Sequence, residues 1–226
     1  MTPSRTTRRL FLASMFVSMA VVLAWAGWIG WRRWPEWRAV REMRAAVEAN
    51  EPARFLDAIE QVDSLGVAEA AADEIAPLRQ HPDPRVRMYA VMARTLLGPR
   101  GPAEAQELIA VFDDSNEDIN VRCAAAPCLI LFGQHARAAV PSFTDAVTNA
   151  SDPRRAHAFL AFVVLGEEIT GTAPPIALKG SEGIIFTAEK LRELLDLPEA
   201  SARRKRAMAE FIVSYGDDVY WTAEFK

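Results

Sequence analysis

A short pattern recurs three times in this chain at a nearly constant interval. The three units run from Asp83 to Gly98, from Asp118 to Gly133 and from Asp152 to Gly166. Their first residues are 35 and 34 positions apart, and their closing glycines are 35 and 33 positions apart. A fixed period of this length is typical of repeat proteins, in which each supersecondary unit stacks on its neighbours.

Each unit predicts one amphipathic helix. The leading Asp is a preferred N-cap, because its carboxylate accepts hydrogen bonds from the free N–H groups of the first turn. Pro84 and Pro153 follow at the first helical position, where the fixed φ of proline is favourable. We expect the closing glycines to end the helices in the left-handed conformation. In the first unit the apolar residues with helical spacing are Val86, Tyr89, Ala90, Ala93, Leu96 and Leu97.

The stretches between the units have the same amphipathic spacing. They cover residues 102–112 and 136–147, and a shorter one near 68–78 precedes the first unit. The repeat is therefore a helix–turn–helix of about 34 residues. One such hairpin cannot bury its apolar face alone, whereas a stack of hairpins can. The sequence predicts an all-α protein, an α-solenoid of stacked helical hairpins.

The motifs DPRVR at 83–87 and DINVR at 118–122, each followed by an Ala-rich helix and a closing Gly, resemble HEAT repeats. The similarity is to the short variety known from phycobilisome lyases, and it covers residues 66–170. The resemblance does not imply lyase activity, because the repeats serve as a scaffold in those proteins. It does imply a ladder of polar contacts between neighbouring units, formed by Asp83 with Arg87 and by Asp118 with Arg122. Ala156 replaces the Arg in the third unit, so the ladder is expected to stop there.

Pro127 falls inside the second predicted helix, which should run to Gly133. A proline in a helix interior removes one backbone hydrogen bond, and it costs about 3 kcal/mol or bends the helix. The sequence therefore predicts a kink at Pro127.

Residues 10–31 carry no charged side chain. A helix of this length spans about 33 Å, which is enough to cross a hydrocarbon core of about 30 Å. A basic tail, 1–9, precedes it. The sequence thus predicts one transmembrane helix over 10–34 in front of the repeats.

Tryptophans recur every third residue around the end of this span. Aromatic and basic side chains concentrate where a span meets the headgroup layer. The predicted membrane-interface residues are Trp25, Trp28, Trp31, Trp34, Arg32 and Arg33. A ligand-binding aromatic cage is the alternative interpretation of the tryptophans.

The N-terminus also bears on localisation. TRRLFL at 7–12 resembles a twin-arginine export signal, and AWA at 24–26 resembles a signal-peptidase site. The apolar stretch continues past this site, which favours a retained single-pass anchor in a bacterial inner membrane. Three arginines precede the span and five follow it, which favours a cytoplasmic domain. The arginine pair that resembles an export signal favours a domain outside the cytoplasm. We prefer this second orientation, although the two patterns disagree.

Less regular sequence patterns lie on either side of the repeats. Residues 36–65 predict two helices that form a capping or linker region. Residues 171–226 predict a Pro- and Gly-rich loop followed by C-terminal helices.

No pattern indicates catalysis. His81, His135 and His157 lack metal-ligand spacing and are expected to be solvated turn residues. Cys123 and Cys128 are expected to be buried thiols without a disulfide. No nucleotide-binding or hydrolase motif occurs. We therefore expect no enzyme activity, no catalytic residues, no metal and no cofactor.

The charge distribution bears on the choice of partner. Beyond Trp37 the chain has 21 basic and 29 acidic residues, a net charge of −8, which disfavours nucleic acid. The predicted function is a membrane-anchored scaffold that binds an unidentified protein or peptide beside a lipid bilayer. The alternative is a structural or accessory subunit of a membrane complex, held partly through small residues of its span, Ala20 with Ala24 or Ala26 with Gly30.

Overall fold

The computed structural model describes residues 19, 34–98, 100–171, 191–193, 195, 206–208 and 210–211, and its regular secondary structure there is helical. No strand occurs in these ranges, which confirms the all-α class. The helices are α1 over residues 34–49, α2 Pro52–Ser64, α3 Ala68–Ile75, α4 Pro84–Leu97, α5 Pro102–Asp113, α6 Ile119–Ile130, α7 Val140–Thr148 and α8 Arg155–Thr170. Two 3₁₀ stretches, Ala76–Gln80 and Gly133–Ala139, lie after α3 and before α7.

The leading aspartates act locally as expected. Asp83 caps α4, with its Oδ1 2.9 Å from the backbone nitrogen of Arg85, and Asp118 caps α6 through Asn120 at the same distance. The Oδ1 of Asp152 accepts from the backbone nitrogen of Arg154 at 2.8 Å, in the turn before α8.

Two of the three closing glycines adopt the predicted left-handed conformation, Gly133 with φ +50° and Gly166 with φ +68°. The prediction was wrong for Gly98, whose backbone is extended with φ −83° and ψ 176°. A Cβ at Gly98 would lie 2.6 Å from the carbonyl oxygen of Arg94. This glycine is therefore required by a close backbone approach and not by a positive φ.

Helix ends also differ from the predicted ones. α6 is continuous through Pro127 but ends at Ile130, before Gly133. Pro127 therefore lies in the last turn of α6. Its nitrogen has no hydrogen to donate, and the α-helix ends three residues later. α8 is interrupted by the non-helical backbone of Gly166, and helical residues continue to Thr170.

The helices pack in a regular pattern. α4 contacts α6, and α6 contacts α8, while α3, α5 and α7 each pack against the helix that follows. One hydrophobic cluster extends from Ala39 in α1 to Leu165 in α8. Within this cluster the rings of Phe112, Phe143 and Phe162 form an edge-to-face series with centroid separations of 5.4 and 6.0 Å.

Parts of the C-terminal region pack on the same body. Leu191 and Met208 are buried, and the Arg192 guanidinium donates to the carbonyl oxygens of Val163 and Val164 in α8. Arg206 forms an ion pair with Glu60 of α2 at 2.7 Å. The predicted loop that begins near Gly171 lies almost wholly outside the described residues.

The predicted span, residues 10–34, also lies outside the described residues except for Met19 and Trp34. Among the residues that the structure does describe, we find no helix with the length and apolar character needed to cross a membrane.

Candidate interaction surface

Arginine side chains connect the units, but their partners differ from the expected ones. Arg87 does not hydrogen-bond to Asp83. Its Nη2 lies 2.6 Å from Oε1 of Glu117, and its Nη1 donates to the carbonyl oxygens of His81 and Pro82 at 2.7 and 3.0 Å. The hydrogen bond to Glu117 raises the pKa of Arg87. Since Glu117 directly precedes the cap of α6, this pair joins the first unit to the second.

The second contact also departs from the expected ladder. Arg122 donates from Nε to the carbonyl oxygen of Phe112 at 3.2 Å and makes no hydrogen bond to the Asp118 side chain. Phe112 belongs to α5, the helix that precedes α6. The arginine therefore closes the α5–α6 hairpin.

The expectation that the ladder stops at the third unit was wrong. Arg154, two positions before Ala156, pairs with Asp152 at 2.8 Å and with Asp113 at 3.2 Å. It also donates to the carbonyl oxygen of Phe112 at 2.7 Å. The spacing gave no signal for this contact, because Arg85 also lies two positions after an aspartate, Asp83, and forms no side-chain ion pair among the described residues.

A groove lies between the first and second hairpins. Its walls come from the 3₁₀ stretch after α3, from α4, from α5 and from α6. The groove is open to solvent, and the space within it measures about 620 Å³. We call it the repeat groove, and its lining residues are Ala76, Arg79, Gln80, Arg87, Val91, Val111, Glu117 and Val121. A smaller depression of about 290 Å³ adjoins it through Arg79 and Val91. Arg79 and Glu107 form an ion pair at 2.6 Å on the side of α5.

A second surface lies on α1. Trp34 and Trp37 are 64% and 62% exposed, the most exposed large hydrophobic side chains among the described residues. With Arg38 and Arg41 they border a depression of about 920 Å³. Of the predicted membrane-interface residues only Trp34 is described, because Trp25, Trp28, Trp31, Arg32 and Arg33 lie outside the described residues. The i, i+3, i+4, i+7 spacing from Trp34 to Arg41 was the signal that could have found this face.

The remaining candidates for chemistry are buried or scattered. His157 is 5% exposed in α8, so its prediction as a solvated turn residue was wrong, whereas His135 is exposed. Both cysteines are free, and burial raises the pKa of each to about 12, which suppresses the nucleophilic thiolate. Within the described ranges no three His, Cys, Asp or Glu residues are grouped so that they could hold a metal ion.

No protein-family model, no curated protein and no solved structure matches this chain.

Proposed function

We propose that this protein is a membrane-tethered, HEAT-like helical-repeat scaffold that binds another protein or a peptide through the repeat groove. The observation that carries the proposal is the groove itself. It lies between two successive hairpins, and the bidentate Arg87–Glu117 pair spans the two units at its edge.

The helix contacts support the solenoid arrangement. In a stack of hairpins, equivalent helices of successive repeats pack side by side and form one layer. The contacts of α4 with α6 and of α6 with α8 follow this pattern. α5 and α7, which alternate with them, also contact each other. Such stacks present extended grooves suited to extended or helical protein segments.

The lining of the groove indicates what kind of segment fits. The apolar lining residues are Val91, Val111 and Val121, of which Val111 is the most exposed. Arg87 and Glu117 place opposite charges in the same lining. Apolar anchors with a polar rim are the usual composition of protein–protein interfaces. We propose a segment with one or two apolar side chains flanked by charged residues.

The predicted span, residues 10–34, would keep the groove close to a bilayer. Tethering raises the effective concentration of the groove for a partner in the same membrane. A modest affinity would then be sufficient for function.

Site-specific photo-crosslinking in cells that express the full chain tests the proposal. A photoreactive residue replaces Gln80 or Val111, which line the groove, and in matched controls it replaces Gln106 or Ala110. The controls are exposed positions of α5 outside the groove lining. We expect one discrete adduct from the groove positions and none from the controls. Equal labelling at all four positions, or adducts only at the controls, would contradict the proposal.

The alternative, a subunit held through its span, has its own test. Residues 10–31 are replaced by an unrelated Leu-rich span, and the adduct at Val111 is measured again. An unchanged adduct supports the scaffold, whereas its loss supports the subunit.

A further inference from the structure

α1 has two faces of opposite character. The inner face is completely covered by the rest of the body and consists of Ala39, Met43, Ala46 and Val47. The outer face, which we define as Trp34, Trp37, Arg38 and Arg41, has helical spacing and is exposed. Two large aromatic rings side by side in water leave apolar area uncovered, and such patches mark interaction sites.

The two arginines of the outer face, Arg38 and Arg41, differ from their basic neighbours in their ion pairing. The neighbouring arginines are paired with carboxylates. Arg44 forms ion pairs with Glu48 and Glu74. Arg54 forms an ion pair with Glu42. Among the described residues Arg38 and Arg41 form no salt bridge. Glu42 borders the same depression and is paired with Arg54 at 2.7 Å. The hydrogen bond from Arg54, and to a lesser extent the charges of Arg54 and Arg38, lower the pKa of Glu42. Two cations and two indole rings therefore face outwards together.

We propose that the outer face of α1 docks on the anionic headgroups of a phospholipid bilayer. The proposal rests on the membrane tether proposed above. Indole rings favour the headgroup layer because they combine an apolar body with one N–H donor. Arginines beside a span are attracted to anionic lipids. The outer face begins at residue 34, where the predicted span ends, so it is continuous with the place where the chain leaves the bilayer. Docking would fix the orientation of the repeat body relative to the membrane.

The test uses the full chain in lipid nanodiscs that contain phosphatidylcholine alone or phosphatidylcholine with phosphatidylglycerol. A fluorophore is attached at Ala45→Cys, which borders the outer face, or at the control Ala70→Cys, an exposed position on α3. Both native cysteines are replaced by Ala in the labelled variants, because Cys123 is partly exposed. Quenching by a headgroup spin label reports the proximity of the fluorophore to lipid.

We expect stronger quenching at Ala45→Cys in the anionic discs than in the zwitterionic discs, with no such difference at Ala70→Cys. Arg38→Gln with Arg41→Gln should lower the ratio of docked to undocked α1 by about 30-fold, because each arginine near an anionic surface contributes about 1 kcal/mol. The matched control is Arg85→Gln with Arg137→Gln, two exposed arginines elsewhere on the body, which should leave the ratio unchanged.

Equal quenching in the two lipids, or quenching that the double variant does not reduce, would overturn the docking proposal and leave the tether intact. A chain that enters neither type of disc would overturn the tether and the docking together. Circular dichroism of each variant establishes that the helices are retained.

Discussion

Arg154 contacts Phe112 in two ways. Its guanidinium carbon lies 4.4 Å from the centroid of the phenyl ring, and its Nη1 donates to the backbone carbonyl oxygen of the same residue at 2.7 Å. The two residues are 42 positions apart. One side chain therefore connects the end of α5 with the turn before α8.

Arg154→Ala should lower the free energy of unfolding by about 2 kcal/mol, because it removes charge-assisted hydrogen bonds and a cation–π contact and leaves Asp152 without its cation. Urea denaturation of the full chain in mild detergent measures the loss. Arg154→Lys should recover only part of it, since an ammonium cannot reproduce the planar, multidentate geometry. The control, Arg85→Ala, should change stability by less than about 0.5 kcal/mol because Arg85 is exposed and makes no side-chain ion pair among the described residues.

Asp152 should make the stability depend on acid pH. Burial acts to raise the pKa of Asp152, but hydrogen bonds and charge from Arg154 outweigh it, so the net pKa is below the usual value. A carboxyl with a lowered folded-state pKa stabilises the fold above the unfolded value of about 3.9. That contribution disappears as the pH falls through the folded-state pKa.

We therefore expect Asp152→Asn to reduce the slope of unfolding free energy against pH below about pH 4. Denaturation at a series of pH values measures this slope. Identical slopes for Asp152→Asn and the wild type would contradict the role assigned to Asp152.

Arg87 and Glu117 should be energetically coupled. Their side chains are 18% and 17% exposed, and three hydrogen bonds join them. A double-mutant cycle with Arg87→Ala and Glu117→Ala should give a coupling of about 1 to 2 kcal/mol, more than an exposed pair provides. The matched cycle on Arg44 and Glu48, which are 40% and 45% exposed, should give about 0.3 to 0.5 kcal/mol. Equal couplings in the two cycles would show that the inter-unit pair has no special role.

Phe143 is fully buried between Phe112 and Phe162. Phe143→Ala should cost about 3 to 5 kcal/mol, because it leaves a cavity where α5, α7 and α8 meet. Phe143→Leu, which keeps more of the volume, should cost about 1 kcal/mol. Denaturant midpoints measure both, and Leu65→Ala at a 39% exposed position serves as the surface control. A loss below 1 kcal/mol for the alanine variant would show that the three helices do not share a core at this residue.

The sequence alone predicts the local features of this chain well. The N-caps Asp83 and Asp118, the positive φ of Gly133 and Gly166, and the helices between them all appear in the structure. Each depends on backbone groups within a few residues, so neighbouring sequence contains the necessary information. The period of 34 to 35 residues is visible for the same reason, since each hairpin repeats the same local signals.

Tertiary structure alone decides which distant groups these residues meet. Glu117 as the partner of Arg87, the multiple contacts of Arg154, and the burial of His157 all depend on groups brought together by packing. The repeat groove and the outer face of α1 also result from packing between helices. A helical pattern specifies which residues share a face, whereas the neighbouring helices determine which faces are covered and which remain open to a partner.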